Sequence, residues 1–249
     1  MFNLDVIADL TKPKPHAMPT KEIFLKYMKE MDIRKSDEII LYDRINLFSS
    51  PRGFITLTWF GHKNVRILNG GFPLYLKKKG ELEKDNNYNV QKLNEYRKNN
   101  IPIKEDDFDY NLEENRVYKI EQVFENMNSS IIIDARSEER FEGKVQEPRK
   151  SLRVGHIKSA INLFFQKLFD EEGKYKKISE LKTIFTNIGV TGDKIVIIYC
   201  GTGLTACIDL FALYQIGLDK NIKLYDGSWM DFGNLPEEEI QKLEEKFKK

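Results

Sequence analysis

The 249-residue sequence predicts an α/β fold in two copies, each a parallel sheet flanked by helices, with the first copy lacking its opening strand. Three observations carry that reading. Short apolar runs that end in a loop and lead towards helical patterns recur along the chain, as in "EIILYD", "SIIIDAR" and "KIVIIYC". Runs of this kind suit parallel strands covered on both faces. The second observation is an equal interval: Asp43 and Asn69 are 26 residues apart, and so are Cys200 and Asp226. Each interval reads strand, loop, helix, strand, glycine-containing turn, which marks an internal repeat. Third, "SIIIDARSEERF" carries a strand ending at Asp134, 66 residues before Cys200, whereas the same count back from Asp43 falls before residue 1.

In chain order, residues 1–80 hold the first copy. The opening "MFNLDVIADLTKPKPHAMPT" has no cationic start, no apolar stretch and no arginine-rich amphipathic pattern. No targeting segment is visible, and the expected location is cytoplasmic or mitochondrial. "EIILYD" reads as a strand, the Pro/Ser-containing loop after it opens a helix, and "VRILNGGFPLYL" returns as strand and glycine turn. Residues 81–108 are polar, charged and without clean periodicity, which predicts a linker over the surface. Residues 109–249 form the second copy, entered through a short helix in "RVYKIEQVFENMN". At the far end, "PEEEIQKLEEKFKK" sets proline and acids early and lysines late, with Ile240, Leu243 and Phe247 on one face. That pattern predicts a docking helix whose charges suit its dipole.

Composition narrows the function classes. Lys+Arg 40 against Asp+Glu 39 leaves a net charge of +1, so no basic surplus argues for a nucleic-acid partner. No apolar run approaches a membrane span, and no membrane partner is expected. Two cysteines seven apart make no disulfide framework, which points to a reducing compartment. His16, His62 and His156 are scattered and share no metal-ligand spacing with the cysteines, so neither a metal nor a cofactor is expected.

Cys200 is the candidate nucleophile. It lies where a strand's carboxyl end meets a helix, the place where open α/β sheets bind ligands. In "CGTGLT", Gly201 and Gly203 let the backbone turn tightly with N–H groups pointing inward, and a helix starting near Thr205 adds partial positive charge. Both favour a thiolate, lowering a pKa that is ordinarily ~8.5. The alternative is a small buried hydrophobe, the usual fate of a free cysteine. Cys207, inside the helical pattern beside Ile208 and Leu210, reads as core.

"CGTGLTA" followed by "YDGSWMDF" resembles the tandem-rhodanese sulfurtransferase family, in particular its branch acting on 3-mercaptopyruvate. "DARSEERFEGKVQEPR" and "GHIKSAINL" resemble further motifs of that family, though Lys158 and Ser159 replace its proline and glycine. "SSPR" and "FGHKNVRILNGGF" agree with its non-catalytic first domain, with Asp43 where a cysteine would stand. The resemblance implies two rhodanese-like domains and a Cys200 persulfide formed from a small-molecule sulfur donor. A thiol acceptor such as thioredoxin or glutathione would then remove the sulfur. By the same resemblance, backbone N–H groups of Gly201, Gly203, Leu204 and Thr205 stabilise charge on sulfur. Thr202 passes a proton, Arg140 and Arg149 bind the substrate carboxylate, and Asp5 orients His16 for proton transfer.

Rival readings separate on single residues. Thiosulfate sulfurtransferases of the family place basic residues just after the cysteine, where this chain has Gly201 and Thr202. A phosphatase loop needs an arginine six residues after the cysteine, where this chain has Ala206. A catalytically inactive binding module remains open, favoured by the absent first strand and disfavoured by the joint presence of Cys200, Arg140, Arg149, Asp5 and His16.

Overall fold

In the computed structural model, which describes residues 3–82, 95, 97, 99, 101, 102, 104 and 106–248, the first half folds from few residues. Its elements are α1 (Lys21–Glu30), β1 (Ile39–Leu41), α2 (Ser50–Trp59), β2 (Val65–Ile67) and α3 (Gly71–Lys77). Thr20 caps α1 by accepting the Ile23 N–H, and Pro51 sits in the first turn of α2, where its missing N–H leaves no bond unmade. Strands β1 and β2 pair in parallel as a two-stranded sheet. The predicted order of strand, loop, helix and strand is therefore present, and among the described residues no opening strand precedes it.

The second half contains β3 (Val117–Tyr118), α4 (Ile120–Asn126), β4 (Ile131–Asp134), α5 (Glu138–Phe141), β5 (Ile161–Asn162) and α6 (Ile178–Asn187). It continues through β6 (Val196–Tyr199), α7 (Ala206–Gln215), β7 (Ile222–Tyr225), α8 (Ser228–Phe232) and α9 (Glu237–Lys246). The segment expected as an opening helix thus begins with a strand, because Val117 and Tyr118 pair with Leu224 and Tyr225 along the edge of the sheet. All five strands are parallel, in the order β3-β7-β6-β4-β5. From β4 the chain moves outward to β5, and from β6 it moves outward the other way to β7. The switch point therefore lies between β4 and β6, the crevice where such sheets hold ligands.

Strand parity decides which way the cysteine faces. Val196 and Ile198 of β6, with Cys200 next in step, join a core that includes Ile55, Leu57 and Trp59 of α2. Ile197 and Tyr199 point to the opposite face, where Phe124, Trp229 and Ile240 of α4, α8 and α9 cover the sheet. Cys200 consequently looks towards the first half. The halves share this core: α2 packs on α7, Phe54 meets Phe211 edge-on at 4.7 Å, and Trp59 Nε1 donates to Tyr214 Oη at 2.7 Å. The C-terminal helix α9 docks on α4 with Ile240, Leu243 and Phe247, as its sequence predicts. Among the described residues no helix is long and apolar enough to cross a membrane.

Most of the expected 81–108 linker lies outside the described residues. Its described end is docked. Arg34 Nη1 donates to the carbonyls of Ile101 and Pro102 and stands 3.8 Å from Asp107, while the buried Tyr110 ring packs edge-on against Phe24.

Asp43, at the end of β1, takes the place in the repeat that Cys200 takes at the end of β6. Its carboxylate accepts N–H bonds from Leu47, Ser49 and Ser50 at 2.9, 2.9 and 2.8 Å. Charge-assisted bonds of this kind are worth about 1.5–3 kcal/mol each. Asp43→Ala is expected to lower unfolding free energy in urea by about 2 kcal/mol or more. A change within about 0.5 kcal/mol, the range of an ordinary surface substitution, would contradict that role.

Candidate active site

The end of β6 delivers Cys200 to the floor of a small pocket of about 170 Å³, lined by Phe48, Arg140, Arg149, Thr202, Leu204 and Thr205 among others. The Gly203 N–H donates to Cys200 Sγ at 3.2 Å, so the loop does hold a backbone donor on the sulfur. Behind it, the Cys200 N–H donates to Ser228 Oγ, and the Ser228 hydroxyl donates to the Tyr225 carbonyl. The Cys200 and Gly201 carbonyls accept from Trp229 and Met230 N–H, which ties the "CGTGLT" loop to the "YDGSWM" turn. Gly203 is required here by space and backbone angle, and Gly201 leaves room for Arg140. A Cβ at Gly203, where φ is +84°, would stand 2.9 Å from the Asp226 carbonyl, and one at Gly201 would stand 3.1 Å from Arg140 Nη2. Thr205 precedes α7, whose first turn is aimed at the same loop. Cys207 is wholly buried in α7, donates to the Gly203 carbonyl, and is pushed up to about 12 by burial, as a core thiol should be.

The two arginines differ in what holds them. Arg140 Nε and Nη2 donate to the two carboxylate oxygens of the buried Glu147 at 3.0 and 2.5 Å. Glu147 also accepts from Arg136, whose guanidinium is bound by Asp134 and lies 4.2 Å from the centre of the Trp229 ring. The Arg140 fork is thereby fixed beside Gly201. Arg149 is exposed, lines the pocket, and forms no ion pair among the described residues. One cation is thus rigid and one is free to meet an anion.

The first half reaches this loop through a buried charge cluster. Asp226, immediately after β7, is met by Arg52 Nη2 at 2.9 Å, by Lys14 Nζ at 2.8 Å and by the Met18 N–H at 2.9 Å. Arg52 also donates to the carbonyls of Gly203 and His16 at 3.3 and 2.7 Å. Burial pushes the Asp226 carboxyl up, but Arg52, Lys14 and the Met18 N–H outweigh it and hold it at about 2. Lys14 bears the opposite balance: burial and the neighbouring Arg52 keep it below its ordinary range despite Asp226. A buried carboxylate serving two cations is better compensated than either cation alone.

His16 and Asp5 do come together, with Nδ1 standing 3.0 Å from Asp5 Oδ1, although the angle is not that of a hydrogen bond. Burial holds the His16 imidazole below its usual range, aided by Arg52, Lys14 and Arg149 and opposed by Asp5. The ring is therefore a neutral base near pH 7. It is not among the residues that line the cysteine pocket, and it is anchored to the loop through its carbonyl and Arg52. The structure thus gathers Cys200, Gly201, Thr202, Leu204, Thr205, Arg140 and Arg149 around one pocket, with Gly203 bonded to the sulfur without lining it and the Asp5–His16 pair outside the lining. Sequence reasoning assigned no role to Arg52, Lys14, Asp226, Ser228 or Glu147. Arg52, Asp226 with Ser228, and Glu147 lay in "SSPR", "YDGSW" and "EPR", stretches that carry the family resemblance, whereas Lys14 lay in none.

The family model described as the rhodanese-like domain matches residues 2–78 and 119–235. The chain belongs to that family. It is 35% identical over 245 residues to the 3-mercaptopyruvate sulfurtransferase of Escherichia coli strain K12, covering 96% of this chain and 82% of that protein. It is 33% identical to the thiosulfate sulfurtransferase TUM1 of Saccharomyces cerevisiae, covering 93% and 77%. The crystal structure of SseA from Escherichia coli, described as a rhodanese-fold 3-mercaptopyruvate sulfotransferase, superposes with a TM-score of 0.73 at 35% identity, covering 92% of this chain and 80% of that one. Two rhodanese-like regions in one chain agree with the α/β repeat read from the sequence.

Asp226→Asn would leave Arg52 and Lys14 buried without their anion, which typically costs about 3–5 kcal/mol. The wild-type carboxyl is depressed from its ordinary 3.8 to about 2, so its contribution is present above pH 3.8 and is lost as pH falls towards 2. Urea unfolding between pH 2 and 7 is expected to show the wild-type advantage over Asp226→Asn shrinking across that acid window. An advantage constant with pH would contradict it.

Proposed function

We propose that this chain is a sulfurtransferase that moves sulfur from 3-mercaptopyruvate to a thiol acceptor through a persulfide on Cys200, releasing pyruvate. The observation that carries the reading is the Gly203 N–H aimed at Cys200 Sγ on the floor of a pocket bearing one fixed and one unpaired arginine. The Cys200 thiolate attacks the donor's sulfur. A sulfur–sulfur bond forms, the carbon–sulfur bond breaks, and its electron pair leaves on carbon as the pyruvate enolate, which takes up a proton. Thr202, half-buried at the mouth of the loop, supplies a hydroxyl to relay that proton. His16, neutral and near the loop, is the base that supports proton balance, with Asp5 beside it. Arg149 binds the donor carboxylate and Arg140 positions it beside Gly201. Backbone donors of the Gly201–Thr205 loop carry the charge on sulfur as an oxyanion hole does on oxygen.

In the second half-reaction an acceptor thiolate attacks the outer sulfur of the persulfide. The sulfur–sulfur bond breaks, Cys200 returns as the thiolate, and the acceptor leaves as its own persulfide. Thioredoxin and glutathione fit as acceptors by their thiol chemistry. Thiosulfate is the second donor to consider, because several relatives are named for it. The neutral Gly201 and Thr202 offer its dianion no cation at the start of the loop.

Intact-mass measurement after separate incubation with 3-mercaptopyruvate and thiosulfate tests the reading. The expected result is a reductant-sensitive gain of one sulfur atom from 3-mercaptopyruvate that is absent in Cys200→Ser. Gain from thiosulfate alone would overturn the donor assignment, and no gain from either would make the chain a binding module. Arg149→Ala is expected to raise KM for 3-mercaptopyruvate about tenfold, equivalent to about 1.4 kcal/mol, with kcat changed much less. An unchanged KM would remove Arg149 from the binding site.

A further inference from the structure

Helix α7 opens with a buried thiol that the reaction above does not use. Cys207, in its first turn, is 0% exposed. Its sulfur stands 3.4 Å from the Gly203 carbonyl oxygen, to which it donates, and 3.8 Å from Arg52 Nη1, from which it accepts. Arg52 Nη1 reaches the same carbonyl at 3.3 Å, so thiol, guanidinium and carbonyl form a closed triangle of contacts. The Gly203 carbonyl is buried and depends on these two side chains. The first-turn N–H groups nearest to it go elsewhere, Cys207 to the Leu204 carbonyl and Ile208 to that of Thr205. A buried carbonyl left without a donor destabilises the fold. Gly203 is also the loop residue with the most freedom to swing, having no Cβ and a φ of +84°. Yet its N–H is the one that meets Cys200 Sγ, at 3.2 Å. Whatever holds the Gly203 carbonyl limits the rotation of the residue that presents this donor.

We propose that Cys207 is a positioning residue for the nucleophile: its thiol and Arg52 together hold the Gly203 carbonyl, and that hold keeps the Gly203 N–H on the Cys200 sulfur. The two holds differ in origin. Arg52 comes from the first half and is also bound to Asp226 and to the His16 carbonyl. Cys207 lies four residues after Gly203 and secures the loop from the helix that follows it. Burial favours the protonated thiol, which is the form that donates. The inference concerns the geometry of the loop and does not depend on which sulfur donor loads Cys200.

Serine and alanine are nearly equal in size and differ in the donor, so Cys207→Ser and Cys207→Ala separate the hydrogen bond from packing. Amide exchange at Gly203 is expected to quicken about fivefold in Cys207→Ala, the scale of one hydrogen bond, and less than about twofold in Cys207→Ser. Exchange in β4 and β6 is expected to stay unchanged in both. With 3-mercaptopyruvate as donor, kcat is expected to fall by a similar factor in Cys207→Ala with KM held, and to recover in Cys207→Ser. Equal behaviour of the two variants would make Cys207 packing alone and overturn the proposal. Unchanged Gly203 exchange in Cys207→Ala would overturn it equally. A wild type that does not turn over 3-mercaptopyruvate would fail the sulfurtransferase reading, and the exchange data would still decide this one. Should Cys207→Ala fail to fold, infrared spectra of Cys200→Ser decide instead. The chain has two cysteines, so the S–H stretch of that variant belongs to Cys207 alone. A band at lower frequency than that of a thiol in an apolar solvent is expected, and a band at the unbonded position overturns the claim.

Discussion

The buried carboxylate of Asp226 is the constraint on which the rest of the site depends. It closes the second half's last strand, and its two cationic partners, Lys14 and Arg52, both come from the first half. Arg52 then uses its remaining N–H groups on the Gly203 and His16 carbonyls, so one guanidinium sets the cysteine loop and the N-terminal segment together. The apolar contact of α2 on α7 supplies burial but little direction, since hydrophobic packing is not directional. Charge pairing in a dry interior supplies the direction, at a desolvation cost that all three groups carry and that leaves Lys14 below its ordinary range.

The repeat shows how one local geometry takes two occupants. At the end of β1 the loop N–H groups close on the Asp43 carboxylate, an anion that belongs to the chain itself. At the end of β6 the corresponding place holds a sulfur, with Gly203 N–H directed at it and an open pocket above. In the first half the cradle is satisfied internally and serves stability. In the second the donor meets a sulfur below an open pocket, the arrangement that the proposed reaction uses to carry charge on sulfur.

Much of this was legible in the sequence because it is local. Apolar runs, the equal 26-residue intervals and the glycine loop all express short-range rules, and they located most strands, the helix after Cys200 and Cys200 itself, whereas Arg140 and Arg149 came only from the family resemblance. The edge strand Val117–Tyr118 was missed because two residues have no periodicity, and only pairing with β7 makes them a strand. Lys14 looked like any other of the chain's 40 basic residues, and Arg52 was marked only as part of "SSPR"; the role of both comes from Asp226, more than 170 residues away.

Arg52 holds the cysteine loop in place from the other half of the molecule. Amide hydrogen exchange in Arg52→Lys tests it most directly, because lysine keeps the charge but cannot bridge Asp226, Gly203 and His16 at once. Exchange at residues 201–205 is expected to speed by about tenfold or more, a local opening cost of about 1.4 kcal/mol, while β4 and β6 keep their protection. Equal protection of the loop in both proteins, or a uniform loss across the whole sheet, would contradict it.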